Sequence, residues 1–313
     1  MIAGEEASGS VVRVGIISAY PDEDWHAGQI AQAARQRASA EVLSPLDFAA
    51  LILPASRGRR SSLIEITIRG EPRAVYDAFL LPRAIGDQGD AELQIELYRT
   101  LAEDGAIQIN DVRALTLAID KFKTSWILGR HGLPTPRAAV VQRAEQIGAA
   151  LEAVGAVAVA KPLYGSLGIG VELVRDCAAA ADQLKRSGAL YLQEYVTTGT
   201  ARQRDLRAFV VGQRVEAAIA RTAARGDFRT NVHQGASVEK VQLDAATAAL
   251  AVRATEVLGL DYAGVDLIES ADGALVLEVN GTPLFRGLYQ ATGRNMADPI
   301  VEHALEKLRQ QGK

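Results

Sequence analysis

The segment Gly264–Asn280, GVDLIESADGALVLEVN, constrains this chain more than any other. Two apolar runs flank Ala271-Asp272-Gly273, which suits a three-residue hairpin loop with glycine at the left-handed position. That loop sets Ser270 opposite Ala274, and counting back sets Asp266 directly opposite Glu278. Side chains alternate along a strand, so Leu275, Leu277 and Val279 share one face and Glu278 and Asn280 the other. Asp266, Glu278 and Asn280 are therefore expected on one surface patch. Two carboxylates directly opposite each other repel. A hard divalent cation between them removes the repulsion, and three oxygen donors beside phosphate oxygens suit Mg2+. A solvated acidic hairpin face satisfies the same pattern, and geometry alone does not choose.

With 313 residues the chain is long enough for two or three packed units. Strand patterns at Val11–Ser18, Glu41–Leu43, Ser62–Arg69 and Ala78–Leu81 alternate with helical ones near Ala27–Ala38 and Glu92–Asp104. They predict a small α/β unit with a mostly parallel sheet over about residues 11–115. No G-x-G-x-x-G follows the first strand, so a dinucleotide fingerprint is absent. The arginine-bearing stretch Ala55–Ser62 reads as a solvated loop. Asp120 is a good N-cap for a helix over Lys121–His131, which Gly132, Pro134 and Pro136 end. Strands at Ala138–Gln142, Ala156–Lys161 and Ala189–Glu194, with helices near Ala144–Ala153 and Ala178–Ser187, complete a small α+β lobe. Beyond Tyr195 come a strand pair (Asp205–Val211, Arg214–Ala220), a long loop, a helix (Ala245–Leu258), the hairpin and a last helix started by Asp298-Pro299. The expected fold class is α/β and α+β, in segments 1–117, 118–194 and 195–313.

A net charge of −4 supplies no global basic field, so neither nucleic acid nor membrane is expected as a partner. The apolar runs Phe48–Pro54 and Val154–Ala160 are far shorter than a membrane span. Glu5 and Glu6 argue against a secretory signal, and a single cysteine fits a reducing cytoplasm. Four scattered histidines and Cys177 make a zinc site unexpected. Cys177 is read as a buried structural thiol, and Trp25 and Trp126 as packing residues.

Three further groups carry candidate chemistry. Lys161 leaves an apolar strand directly before Pro162-Leu-Tyr-Gly-Ser-Leu-Gly-Ile-Gly170. A lysine beside a glycine loop can set a cation and backbone N–H groups around phosphates, although the same glycines also describe a plain turn. It is not a Walker A loop, because no Gly-Lys-Ser/Thr follows. Asp205 and Arg207 alternate onto one strand face, to pair with each other or to serve a site. Arg221, Arg225 and Arg229 fall in Arg221–His233, read as a loop between a strand and a helix. In an acidic chain they suggest either a fork for carboxylate or phosphate or a solvated charged loop.

Ala263-Gly-Val-Asp266 followed by Leu277-Glu-Val-Asn-Gly-Thr-Pro283 resembles the metal-binding signature of the ATP-grasp superfamily. The continuation Leu284–Gly293 is similar to the RimK-like glutamate ligases, and the resemblance spans about residues 118–310. It implies an ATP-grasp fold: an N-terminal Rossmann-like pre-ATP-grasp domain, a small lobe with a glycine-rich lid, and a C-terminal lobe with the metal site. It implies ATP and two Mg2+ ions, replaceable by Mn2+, with Asp266, Glu278 and Asn280 as ligands. Lys121 and Lys161 match nucleotide-contacting lysines, and Gln193-Glu194-Tyr195-Val196 resembles the hinge that reads adenine and ribose. Asp205 and Arg207 match an Asp-x-Arg strand. Gly226-Asp-Phe-Arg-Thr-Asn231 is similar to the family's Gly-Asp-Phe-Arg-Ser-Asn segment. By that match Arg229, Thr230 and Asn231 contact phosphate or the reacting carboxylate, and Arg221 the acidic substrate. Arg221, Arg229 and Lys161 are the implied catalytic residues. Ala220 and Thr222 depart from the family pattern beside Arg221, which leaves the acceptor open.

The implied activity is an ATP-dependent carboxylate–amine ligase that adds L-glutamate to an acidic acceptor through an acyl-phosphate. The acceptor is expected to be a pterin or furan one-carbon cofactor, to which Leu81–Gly86 bears a faint resemblance in cofactor-modifying members. A ribosomal-protein or peptide C-terminus is the alternative. A phosphotransferase and a non-catalytic ATP-binding regulator are the rival classes. The partners implied are small molecules, in a homo-oligomer.

Overall fold

The computed structural model describes residues 11–53, 63–86, 88–165, 168–199, 202–230 and 235–312. The chain forms two compact units: the described residues up to Val112 together with those from Ala297 on, and Arg113–Met296.

In the first unit, β1 (Arg13–Ser18) is buried from Val14 onward. At its end Ser18 Oγ donates to Asp24 Oδ2 at 2.8 Å, and Asp24 Oδ1 accepts the His26 N–H at 3.0 Å. Asp24 thus caps α1 (Trp25–Arg35), which buries Ala27, Ile30, Ala31 and Ala34 along one helical stripe. β2 (Ser39–Leu43), β3 (Phe48–Leu53), β4 (Leu63–Ile68), β5 (Glu71–Pro72), β6 (Ala78–Arg83), α2 (Ala91–Glu103) and β7 (Ile107–Ile109) follow. The order β2-β1-β6-β7 is parallel throughout. A separate antiparallel sheet, β3-β4-β5, includes a strand at Phe48 that the sequence reading did not assign. The expected loop Ala55–Ser62 lies outside the described residues. The last helix, Ala297–Gln310, buries Ile300, Val301, Ala304 and Leu308 and packs against α1. It therefore sits with the first unit, not with the segment 195–313 in which sequence order placed it.

The second unit begins in α3 (Val112–Ile119) and continues through α4 (Lys121–Arg130), capped by Asp120 Oδ1 on the Lys123 N–H at 3.0 Å. β8 (Ala138–Val141), α5 (Ile147–Val154), β9 (Ala158–Lys161), β10 (Glu172–Val174), α6 (Cys177–Ser187) and β11 (Leu190–Glu194) build a sheet of order β10-β9-β11-β8. Its inner face packs Ala158, Ala160, Leu190 and Leu192 against Ile147, Val154, Ala180 and Leu184 from α5 and α6. Each fully buried leucine or isoleucine there contributes roughly 1.5–3 kcal/mol relative to exposure.

A five-stranded antiparallel sheet follows: β12 (Arg204–Val211), β13 (Arg214–Thr222), β14 (Ser237–Val241), then α7 (Ala245–Val257), β15 (Tyr262–Ser270) and β16 (Gly273–Asn280). Its order is β14-β13-β12-β15-β16, and the short helix α8 (Arg286–Thr292) comes after it. β14 occupies part of what reads in sequence as one long loop.

Two sequence expectations need correcting. Cys177 is exposed at the first turn of α6, not a buried thiol. Trp126 is 46% exposed, because α4 turns Thr124, Ile127 and Leu128 inward instead. Its ring carries the Lys123 ammonium at 4.5 Å and the Arg130 guanidinium at 5.1 Å. Among the described residues no helix is long and apolar enough to cross a membrane.

Candidate active site

The hairpin reaches the expected pairing by a different route. Ser270 pairs with Gly273, not Ala274, so the loop is one residue tighter than read from sequence. Leu267 then pairs with Val276, and a bulge at Leu277 restores Asp266 opposite Glu278. The bulge also breaks the alternation: Val276 and Val279 are buried, and Leu277 is turned partly outward beside Glu278. Close packing explains the glycines on either side of the acidic pair. A Cβ on Gly264 would lie 2.9 Å from Pro283 Cβ, and one on Gly281 would lie 2.8 Å from Leu115 Cδ2.

Asp266 does not lie on an open surface patch. It is 6% exposed and accepts Arg207 Nε at 2.7 Å on Oδ1 and Arg207 Nη2 at 2.8 Å on Oδ2. Arg221 Nη2 approaches Oδ2 to 2.9 Å. Burial pushes this carboxyl up, but the charges of Arg207 and Arg221 outweigh it and hold the group at about 2. Arg221 also forks onto Asp205 through Nε at 2.8 Å and Nη2 at 2.5 Å, and Thr230 Oγ1 donates to Asp205 Oδ2 at 2.5 Å. Burial raises the Asp205 carboxyl despite this partner. Burial lowers the Arg221 guanidinium, but Asp266 and then Asp205 outweigh that and raise it. Arg221 is thus a buried residue of β13, 4% exposed and held between two carboxylates, not a member of an open loop clamp. Arg207 does not pair with Asp205 of its own strand: it pairs with Asp266, and Asp205 pairs with Arg221.

A cleft in the same unit is lined by Lys121, Ser125, Lys161, Tyr191, Leu277 and Glu278. Lys121, at the first position of α4, donates to the Gly165 carbonyl at 2.9 Å and lies 4.0 Å from Glu278 Oε1. Lys161, at the end of β9, donates to Gln193 Oε1 at 2.7 Å. No carboxylate of the described residues comes within ion-pair distance of Lys161. Burial pushes its ammonium below the usual lysine range, opposed chiefly by the negative charge of Glu278.

The remaining hinge and loop candidates are engaged with the protein. Glu194 accepts Arg137 Nε at 3.1 Å and Nη2 at 2.9 Å, and those bonds hold its carboxyl below the usual range. The Tyr195 ring meets Phe228 edge-on at 6.2 Å, and the Val196 carbonyl accepts Gln203 Nε2 at 2.7 Å. Arg229 forks onto Asp227 of its own loop. Asn231 lies outside the described residues. The sequence reading missed Ser125 and Tyr191, whose hydroxyls share a hydrogen bond at 2.7 Å. The available signal was Tyr191-x-Gln193, two polar side chains with one strand's period inside an otherwise apolar run.

The residues suit a divalent cation at the Glu278 end. The donors Asp266, Glu278 and Asn280 are all oxygen, as hard cations require. The Glu278 side chain is 40% exposed, whereas Asn280 Oδ1 already accepts the Thr282 N–H at 3.0 Å. A carboxylate has about four lone-pair sites, and the arginines take three on Asp266, leaving one on Oδ1.

The two antiparallel sheets, the acidic hairpin and the lysine-lined cleft define the class, and comparison with known proteins names it. The model of the RimK-like ATP-grasp domain matches residues 118–304. A probable alpha-L-glutamate ligase of Serratia proteamaculans is 36% identical over 285 residues, covering 88% of this chain and 90% of its own. A probable alpha-L-glutamate ligase 2 of Shewanella amazonensis is 33% identical and covers 95% of this chain and 96% of its own. The fold matches the ATP-grasp ligase PsnB, solved with a minimal precursor, at a TM-score of 0.71 and 21% identity over 94% of this chain and 99% of that one. It matches a RimK domain ATP-grasp protein of Sphaerobacter thermophilus at 0.64 and 23% identity, over 93% and 99%. The chain belongs to the RimK-like ATP-grasp family. It is accordingly an ATP-dependent ligase that forms amide bonds.

Proposed function

We propose that this enzyme joins the amine of L-glutamate to a carboxylate of an acidic acceptor through an acyl-phosphate. The observation that carries the proposal is the cleft, where Lys161 has no carboxylate within ion-pair distance among the described residues and Lys121 and Glu278 line the same walls. A partly buried ammonium without an ion-pair partner is costly unless an anion completes it, and a nucleotide phosphate supplies one. The names of the curated relatives supply the amino acid, glutamate.

The chemistry needs activation, because a carboxylate does not expel an oxygen as hydroxide at neutral pH. An acceptor carboxylate oxygen attacks the γ-phosphorus of ATP, the bond to the bridging oxygen breaks, and ADP leaves. The glutamate amine then attacks the acyl carbon, phosphate leaves, and one proton is lost. Lys161 and Lys121 bind and screen the phosphates in this reading. Glu278, with Asn280 and the open lone pair of Asp266, would hold Mg2+. Bound Mg2+, or Mn2+ in its place and in two copies, supplies further charge neutralisation at the phosphate oxygens. The Gly165 carbonyl accepts Lys121 Nζ at 2.9 Å, which ties the start of the glycine-rich stretch to this lysine, and Ser166 and Leu167 lie outside the described residues. In this reading Arg221, itself held by Asp205, positions Asp266 in place of the substrate contact implied by resemblance.

For the acceptor we favour a pterin or furan one-carbon carrier ending in a free carboxylate. The segment Leu81–Gly86 adds little to that choice, because packing accounts for its glycine: a Cβ on Gly86 would lie 2.3 Å from Ala19 Cβ. A peptide C-terminus is the second reading. PsnB was solved with a minimal precursor and the macrocyclase MdnC with a precursor peptide, both on this fold.

The test is ADP release from Mg-ATP with a panel of amino acids crossed against a pterin, a furan and glutamyl-terminated peptides. ADP formation requiring L-glutamate and one acceptor, and lost in Glu278→Ala, is the expected result. Stoichiometric phosphorylation of an acceptor without any amine would replace the ligase reading by a phosphotransferase.

A further inference from the structure

Gln193 lies near the end of β11 with 1% of its surface exposed. Its orientation is fixed by its partners. An ammonium only donates, so the atom facing Lys161 at 2.7 Å is the carboxamide oxygen. The amide nitrogen then faces the Tyr191 hydroxyl at 3.3 Å and the Leu277 carbonyl at 3.5 Å. Tyr191 is held in turn by Ser125 at 2.7 Å. Gln193 thus links the smaller sheet to the bulged residue of β16, one position before Glu278. Every member of this chain from Ser125 to Gln193 is uncharged.

The neutrality has a consequence for Lys161. A carboxylate at position 193 would reach the ammonium equally well and would cancel its charge. A carboxamide holds the same atom in the same place and leaves the charge whole. The charged side chains that act most on Lys161 at longer range are Glu278 of β16, Lys121 of α4, Asp266 of β15 and Asp205 of β12. Asp266 and Asp205 are already committed to arginines.

We propose that Gln193 is a positioning residue whose buried, uncharged carboxamide fixes the Lys161 ammonium at the cleft and keeps its charge available for a nucleotide phosphate. The proposal rests on the nucleotide reading of the cleft given above, and assigns the Gln193 side chain to the phosphate end of the ligand and not to the base.

Calorimetric titration of the full chain with Mg-ADP and with adenosine separates these ends. Gln193→Met is expected to weaken Mg-ADP about tenfold or more, as for a lost hydrogen bond to a charged group, while adenosine stays within about twofold. Gln193→Glu, which keeps the shape, should weaken Mg-ADP further still, and it carries the test where the methionine variant folds poorly. Tyr191→Phe frees one side of the carboxamide and should give a smaller loss in the same direction. Wild-type affinity for Mg-ADP in both Gln193 variants would overturn the proposal, and so would an equal loss for adenosine. Lys161→Met serves as the reference. Unchanged Mg-ADP affinity in that variant would remove the nucleotide reading itself, and the proposal with it.

Discussion

Lys161 and Arg221 are both cations of the second unit, one partly buried and the other 4% exposed, and the protein treats them in opposite ways. Arg221 is enclosed by Asp205 and Asp266, with Arg207 completing a group of two carboxylates and two guanidinium groups. Among the described residues Lys161 is given the oxygen of a neutral amide and no ion-pair partner. The first arrangement is electrically closed and contributes to holding β12, β13 and β15 in register. The second is open, and its missing counter-charge is what a phosphate would bring. In the proposed reading a cation marks a ligand site where the fold withholds its partner, and arginine-rich sequence alone does not reveal which case applies.

The same substitution at both positions breaks the comparison most sharply. Arg221→Met should lower stability by about 3–5 kcal/mol, because it leaves Asp205 buried without its cation. Urea unfolding measures this, and a loss below about 1 kcal/mol would mean that the cluster is not closed in the sense argued. Lys161→Met should leave the unfolding midpoint unchanged or higher. Its ligase turnover should nevertheless fall about 100-fold or more, through lost charge stabilisation at the phosphates. Acid sharpens the contrast further. Asp266 is held at about 2, below its ordinary 3.8, so its contribution to stability is present above about pH 4 and is lost as pH falls toward 2. In Arg221→Met that contribution should be smaller and its acid loss should end at higher pH, whereas Lys161→Met should follow the parent. The smallest effect is expected at the exposed pair Arg137–Glu194, where Glu194→Gln should leave the melting temperature within replicate scatter.

Much of this was legible in the sequence where local patterns decide structure. Asp120 begins its helix as a short polar cap does, and the parallel sheet of the first unit follows from strand–helix alternation, whereas the cap Asp24 was not read. The Asp266–Glu278 pairing was read correctly for a partly wrong reason, since a tighter turn and a bulge at Leu277 cancel. A bulge depends on what a strand packs against, which one-dimensional alternation does not contain. Arg221 was read as a loop residue because β13 extends to Thr222, and its burial depends on two carboxylates 16 positions earlier and 45 later in sequence. Cys177 and Trp126 are exposed because α6 and α4 place other residues inward, a choice of helix face that an isolated residue type does not encode. Gln193 was noticed for its neighbours in a hinge motif, while its contact with Lys161 spans 32 positions and two strands.

The central claim is that phosphoryl transfer to the acceptor carboxylate precedes amide formation, and oxygen labelling tests it most directly. With 18O in the acceptor carboxylate, the attacking oxygen becomes the bridge of the acyl-phosphate and departs with phosphate when the amine attacks. The account predicts one labelled oxygen in inorganic phosphate for each amide formed in the presence of L-glutamate and Mg-ATP. Unlabelled phosphate accompanying amide formation would contradict it.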